Sequence, residues 1–108
     1  MRILLDECVD PRVQILFPEH EVRTVHDLGW DRLADGPLLL SAPDLFDVLI
    51  AIDRGLEYQQ NLKRFKLGVI VVAVPKNQLI HYRAVIAELR AAVQEIQPGQ
   101  ALHIAAQS

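Results

Sequence analysis

The sequence predicts an α/β domain: a three-layer α/β/α sandwich around a mainly parallel sheet of four or five strands. Three observations predict it. RILLD (2–6), FDVLIAI (46–52) and LGVIVVAVP (67–75) are runs of consecutive apolar residues, and strands apolar on both faces belong to parallel sheets covered by helices. Segments with helix start and stop signals separate such runs, as crossovers between parallel strands require. The longest of these segments keeps one apolar face over residues 79–96.

The elements follow in order. RILLD is the first strand. Pro11 then sits where a first helical turn tolerates it, with Asp10 as its N-cap; Val13, Leu16 and Phe17 form an apolar face before Pro18 ends the short helix. EVRTV (21–25) reads as a second strand, and HDLGWDRLADG as a loop punctuated by Gly29 and Gly36. Asp35 is placed to cap a helix over 37–42. FDVLIAI and LGVIVVAVP, rich in β-branched and large apolar residues, are the third and fourth strands. Leu79, Tyr82, Ile86, Leu89, Val93 and Ile96 recur at spacings of three and four, so they stack on one face of a long helix. Asn77 is its expected N-cap and Pro98-Gly99 its stop; ALHI (101–104) adds a short edge strand.

Composition bounds the function. The 108 residues suffice for one domain, 1–108, with a single core. Apolar residues make up 51% and charged residues 23%, a globular balance rather than a disordered one. One cysteine, Cys8, excludes an intramolecular disulfide and fits a reducing compartment, so the expected location is the cytoplasm. No run approaches the roughly 20 apolar residues of a spanning helix, and no leader pattern follows Met1, so no membrane partner is expected. A net charge of -3 means that any polyanion must be recruited by a local patch or a metal rather than by the whole-protein field.

Two acidic signals fall at strand ends. In an open parallel sheet, ligands bind outside the carboxyl ends of the strands, where strand order reverses. Asp6-Glu7 ends the first strand and Asp53 the third; on neighbouring strands their carboxylates start about 4.8 Å apart. Both could then ligate one Mg²⁺, a cation that takes one or two carboxylates and keeps several waters for substrate oxygens. Asp35, after the second strand, offers a third carboxylate. Each acid taken alone also reads as a turn former or helix cap, and Glu7 as a solvated or orienting neighbour.

At these residues the chain resembles a known family. ILLDE at the amino end, HDLGW with ADG beyond it, FDVL leading to DR, and YQQN after it are similar, in order and spacing, to the small PIN-like domains, found as toxins of toxin-antitoxin pairs and related to metal-dependent ribonucleases. The resemblance covers residues 1 to about 104. It implies a parallel α/β/α sandwich and an acidic pocket binding Mg²⁺ or Mn²⁺ for RNA phosphodiester hydrolysis, with an antitoxin as protein partner. Asp6 stands at the first acidic position, Glu7 beside it, Asp35 at the middle acid and Asp53 at the late one. These four are the implied catalytic set, with Asp6, Asp53 and Asp35 as metal ligands. The chain departs from the pattern at Ala51, where many PIN-like sequences place a hydroxyl residue two before the late acid, and no obvious further acid for the site lies beyond it except Glu57.

In such a site the carboxylates hold the metal, and the metal activates water and neutralises charge on the phosphate, with no nucleophilic side chain required. Arg54, beside Asp53, is placed to contact a phosphate, or else to pair with Glu57. Lys63, Arg64 and Lys66 form the one basic cluster, read as an RNA-backbone contact or as a solvated run. His20, His26, His81 and His103 have no metal-ligand spacing. Two alternatives stand beside the ribonuclease. A PIN-like fold that has lost catalysis would serve as a binding module. A phosphoacceptor receiver domain would also place acids after strands one and three and a lysine, Lys76, after a later strand, but Lys76 follows the fourth strand rather than a fifth. The apolar face of the long helix should be buried on the sheet or on a second subunit of a homodimer.

Overall fold

A computed structural model of the chain describes residues 1–30, 35–52 and 65–105. Five strands, β1 (Arg2–Leu5), β2 (Glu21–Thr24), β3 (Val48–Ala51), β4 (Gly68–Ala73) and β5 (Ala101–Ala105), form one sheet in the order β2-β1-β3-β4-β5. Every neighbouring pair is parallel, with Leu5 opposite Thr24 on one side and Ile50 on the other. The expected parallel α/β architecture is therefore present, with the first and third strands adjacent and ALHI at the edge.

The apolar runs divide between the two faces of the pleat, as alternation demands. Ile3, Leu5, Val48, Ile50, Ile70 and Val72 share one core with Val13, Phe17, Tyr82, Leu89 and Val93. Leu4, Leu49, Val69 and Val71 share another with Val25, Leu38, Ala42 and Phe46. β3 lies between two strands and between two cores, and all four of its residues are at most 1% exposed. Full burial of such a Leu or Ile contributes about 1.5–3 kcal/mol, which explains why a strand with no polar face is stable only in the centre.

Several boundaries depart from expectation. The segment after Pro11 is a 3-10 helix, Pro11–Leu16, whose Val13 and Phe17 amides bond three residues back to Asp10 and Gln14. Six residues between Pro11 and Pro18 leave little room for an α-helical ladder, so the tighter form results. The side chain of Asp10 caps it as expected, accepting from the Arg12 amide at 3.0 Å. Helix α1 spans Asp35–Ser41, so Asp35 is its first residue rather than a cap ahead of Pro37.

The single helix expected over residues 79–96 is two, α2 (Leu79–Arg83) and α3 (Ile86–Glu95). Val85 between them takes φ -119° and ψ 23°, outside the helical region. An apolar repeat of 3.5 residues drifts by about 20° per heptad from a straight helix, and a local break resets it. Here the break buries Val85 in place of Ile86, then returns Leu89 and Val93 to the core. Asn77 is not the N-cap; Gln78 occupies that position, and Asn77 turns toward the loop after β1. After α3, Gly99 adopts φ 81°, a left-handed conformation that glycine takes without steric cost, and its amide bonds the Leu67 carbonyl. That turn delivers the chain into β5. No helix among the described residues is long and apolar enough to cross a membrane.

Candidate functional site

The strand order reverses at β1: the chain passes from β1 outward to β2, then returns to the other side of β1 as β3. The carboxyl ends of β1 and β3 therefore flank the crevice where open parallel sheets bind ligands. Asp6 is the first residue beyond β1. Its amide donates to the Ile50 carbonyl at 3.0 Å, which extends the β1–β3 ladder by one step, and its carbonyl accepts from the Val9 amide at 3.0 Å. The backbone thus turns sharply at Asp6-Glu7, putting both acids on the carboxyl edge.

On the β2 side, the Val25 amide continues the ladder by bonding Leu5, and the chain turns at once. Thr24 and Asp27 close this turn reciprocally. The Thr24 amide donates to Asp27 Oδ2 at 3.1 Å, and the Asp27 amide donates to Thr24 Oγ1 at 2.9 Å. The Thr24 backbone and side-chain hydrogen bonds hold the Asp27 carboxyl below its ordinary range, with smaller contributions from Arg23 and His26. Between the two turns lies a pocket of about 170 Å³ whose lining includes Asp6, Glu7, Gln14, Thr24, His26 and Asp27. Val9 and Pro11 line it as well, so the pocket combines apolar walls with three acids and an imidazole.

Two nearby acids are already committed to local structure. Asp27 forms its turn. Asp10 caps the 3-10 helix and takes a forked pair of contacts from Arg12, with Nη2 to Oδ2 at 2.7 Å, so its carboxyl is held low chiefly by that guanidinium. Asp6 and Glu7 are the described acids that the sequence placed in the site and that line the pocket. Among the described residues, no group of three or more His, Cys, Asp or Glu is close enough together to hold a metal. The hard carboxylate oxygens of Asp6 and Glu7 suit Mg²⁺ or Mn²⁺, and Mg²⁺ needs no more than one or two protein carboxylates.

The other expected site residues divide. Asp53, Arg54, Lys63 and Arg64 lie outside the described residues, and so does the side chain of Asp35. Lys66 is exposed just ahead of β4, at the opposite edge, where it lines a pocket of about 240 Å³ with Met1 and Asp47. At about 3.3 Å per residue it stands on the order of 15 Å from Asp6 along the strand direction. The structure does not bring Lys66 and Asp6 together. Lys76 follows β4, and β5 comes after it, in agreement with the strand count that set the chain apart from a receiver domain.

The sequence reading missed Gln14, Thr24, His26 and Asp27. T-x-x-D is a local turn signature that could have marked the Thr24–Asp27 closure. His26 had no spacing signal, because Asp6 and Glu7, with which it lines the pocket, follow a different strand. Comparison of the chain with protein-family models, with curated proteins and with solved structures gives no significant match.

Proposed function

We propose that the chain is a PIN-like, Mg²⁺- or Mn²⁺-dependent ribonuclease, or a toxin-type relative of one, built as a three-layer sandwich with its site at the carboxyl edge between β1 and β3. The observation that carries this reading is the Asp6 amide bonded to the Ile50 carbonyl. It fixes the first acid beside the strand that leads, three residues after Ile50, to Asp53 in the sequence.

In this reading Asp6 and Asp53 are the principal metal ligands, with Glu7 and Asp35 assisting. A divalent ion held there supplies a Lewis acid that activates water and neutralises charge on the phosphodiester. The protein's own part is to fix the carboxylates on a rigid sheet edge and to orient the RNA. Arg54, next to Asp53, is the phosphate contact, and Lys63 and Arg64 extend the basic path; Lys66, at the far edge, is left out of it. RNA is the substrate and an antitoxin the protein partner, in the cytoplasm.

A noncatalytic binding module is the second reading. It is favoured by the commitment of Asp10 and Asp27 to caps and turns, which leaves a sparse acidic set, and by Ala51 at the position of the family's hydroxyl. Titration with Mn²⁺ and incubation with single-stranded RNA separate the two. Metal binding with cleavage supports the enzyme; metal binding without cleavage supports the module.

A further inference from the structure

β5 ends the sheet, and among the described residues no strand lies beyond it. Its backbone groups divide by residue. The Val69 amide bonds the Gln100 carbonyl at 2.9 Å, with Val69 opposite Ala101, which sets the phase of the parallel ladder to β4. In that phase the amides and carbonyls of Leu102 and Ile104 face β4, and those of Ala101, His103 and Ala105 face outward.

Natural sheets blunt an edge with charge, proline or a sharp turn. At the other edge, β2 carries exposed Glu21 and Arg23 and turns away at once through Thr24 and Asp27. The residues of β5, ALHIA, include no Lys, Arg, Asp, Glu or Pro. Leu102 and Ile104 pack on the core with Leu89 and Val93 of α3 and stay partly exposed. At the carboxyl end of the strand a hollow of about 270 Å³ is lined by Ala84, Val85, Glu88 and Ala105. The apolar face of α3 is already buried on the sheet, so the edge and not the helix is the surface left for a second subunit.

The residue order identifies the occupant. Reversed, A-L-H-I-A becomes A-I-H-L-A, the same succession of small, aliphatic, imidazole, aliphatic and small. Laid antiparallel on itself about His103, the strand sets Ala101 opposite Ala105 of the second copy, in the position where two outward-facing residues exchange both backbone hydrogen bonds. Leu102 then meets Ile104 of the second copy in a non-hydrogen-bonded pair, with Cα atoms about 4.5 Å apart and side chains in contact. A slip of one residue would set outward-facing groups against inward-facing ones, and a longer slip would give up pairs. We infer that a second copy of this chain covers the edge, in a two-fold contact centred on His103 that joins the two sheets into one. This contact is independent of the metal-dependent reading above.

The test is sedimentation of the full chain over a range of concentrations with chelator present, together with amide hydrogen exchange. Wild type is expected to pass from monomer to dimer as concentration rises, with exchange at Ala101 and Ala105 slowing in step. Ala105→Pro removes an outward donor and leaves the β4 ladder whole, and Ile104 before it is already extended, as a residue preceding proline must be. It is expected to raise the dimer dissociation constant about 10-fold or more, since a bond is lost at each end of the ladder. Ala105→Ser keeps the backbone donor and is expected to dimerise as the wild type does. A folded Ala105→Pro protein with an unchanged constant overturns the inference. If Ala105→Pro fails to fold, exchange at Ala101 and Ala105 that ignores wild-type concentration overturns it instead. A wild type that stays monomeric at every concentration also overturns it, and leaves the edge to a strand of another protein.

Discussion

The Asp6 amide and the Ile50 carbonyl lie 3.0 Å apart, and this bond makes the carboxyl ends of β1 and β3 a single edge. Each residue that follows either strand leaves the sheet on the same side. In the proposed site, carboxylates brought together at this edge without a cation raise one another's pKa.

Metal should therefore stabilise the fold. At 100 times its dissociation constant, a ligand that binds only the native state adds about 2.7 kcal/mol, enough to read as an upward shift in melting temperature. Asp6→Asn is expected to remove that shift while leaving the metal-free protein as stable as before or more so, because a repelling charge has gone. Thermal melts with and without Mn²⁺ check it.

The α3 face tests the packing. Leu89 is fully buried between the helix and the sheet, so Leu89→Ala is expected to cost about 2–5 kcal/mol in a denaturant titration. A change near zero would mean that the helix is peripheral to the core.

Gly68 opens β4 directly beneath Ile96. A Cβ there would meet Ile96 Cγ1 at 2.8 Å and Cδ1 at 3.0 Å, and Ile96 is itself buried. Gly68→Ala is expected to cost about 1–3 kcal/mol by overpacking. Ile96→Ala removes the clashing atoms, so the double variant should lose less than the sum of the two single ones, which a double-mutant cycle measures.

Asp10 and Asp47 set an acid limb. Arg12 hydrogen bonds hold the Asp10 carboxyl below its ordinary value of 3.8, and Arg2 hydrogen bonds do the same for Asp47. A carboxyl depressed in the fold contributes stability that is present above its unfolded pKa and lost as pH falls through the folded one. The stability gap between wild type and Asp10→Asn should thus be full at pH 7 and shrink below about pH 4. The gap for Asp47→Asn should be smaller, since its pair is 43% exposed on each side and screened by solvent. Melts across pH 2–7 read both gaps.

The parallel sheet was legible because runs such as VLIA and GVIVVA have no polar face, and only a doubly covered strand tolerates that. The Asp10 cap was legible for a similar reason: Asp-Pro before an apolar pattern is a local signal. The helix break at Ala84-Val85 was not, since no Pro or Gly marks it and it arises from fitting a 3.5-residue repeat onto a sheet. Asn77 looked like a cap because capping is the commonest local use of Asn; its partners, Cys8 and Asp10, lie across the sheet edge and leave no trace in local spacing. The same holds for the site. Asp6 was visible at a strand end, whereas the approach of His26 and Asp27 to it depends on the β1–β2 pairing.

The central claim is that Asp6 and Asp53 share one cation at the edge between β1 and β3 and that this cation drives RNA hydrolysis. The most direct measurement is cleavage of a labelled single-stranded RNA by wild type, Asp6→Asn and Asp53→Asn, each with Mn²⁺ and with chelator, alongside Mn²⁺ binding by the same three proteins. The account predicts Mn²⁺-dependent cleavage by the wild type alone, with Mn²⁺ affinity weakened in both variants. Cleavage that survives chelation, or Mn²⁺ binding and cleavage that are unchanged in Asp6→Asn and Asp53→Asn, would contradict it.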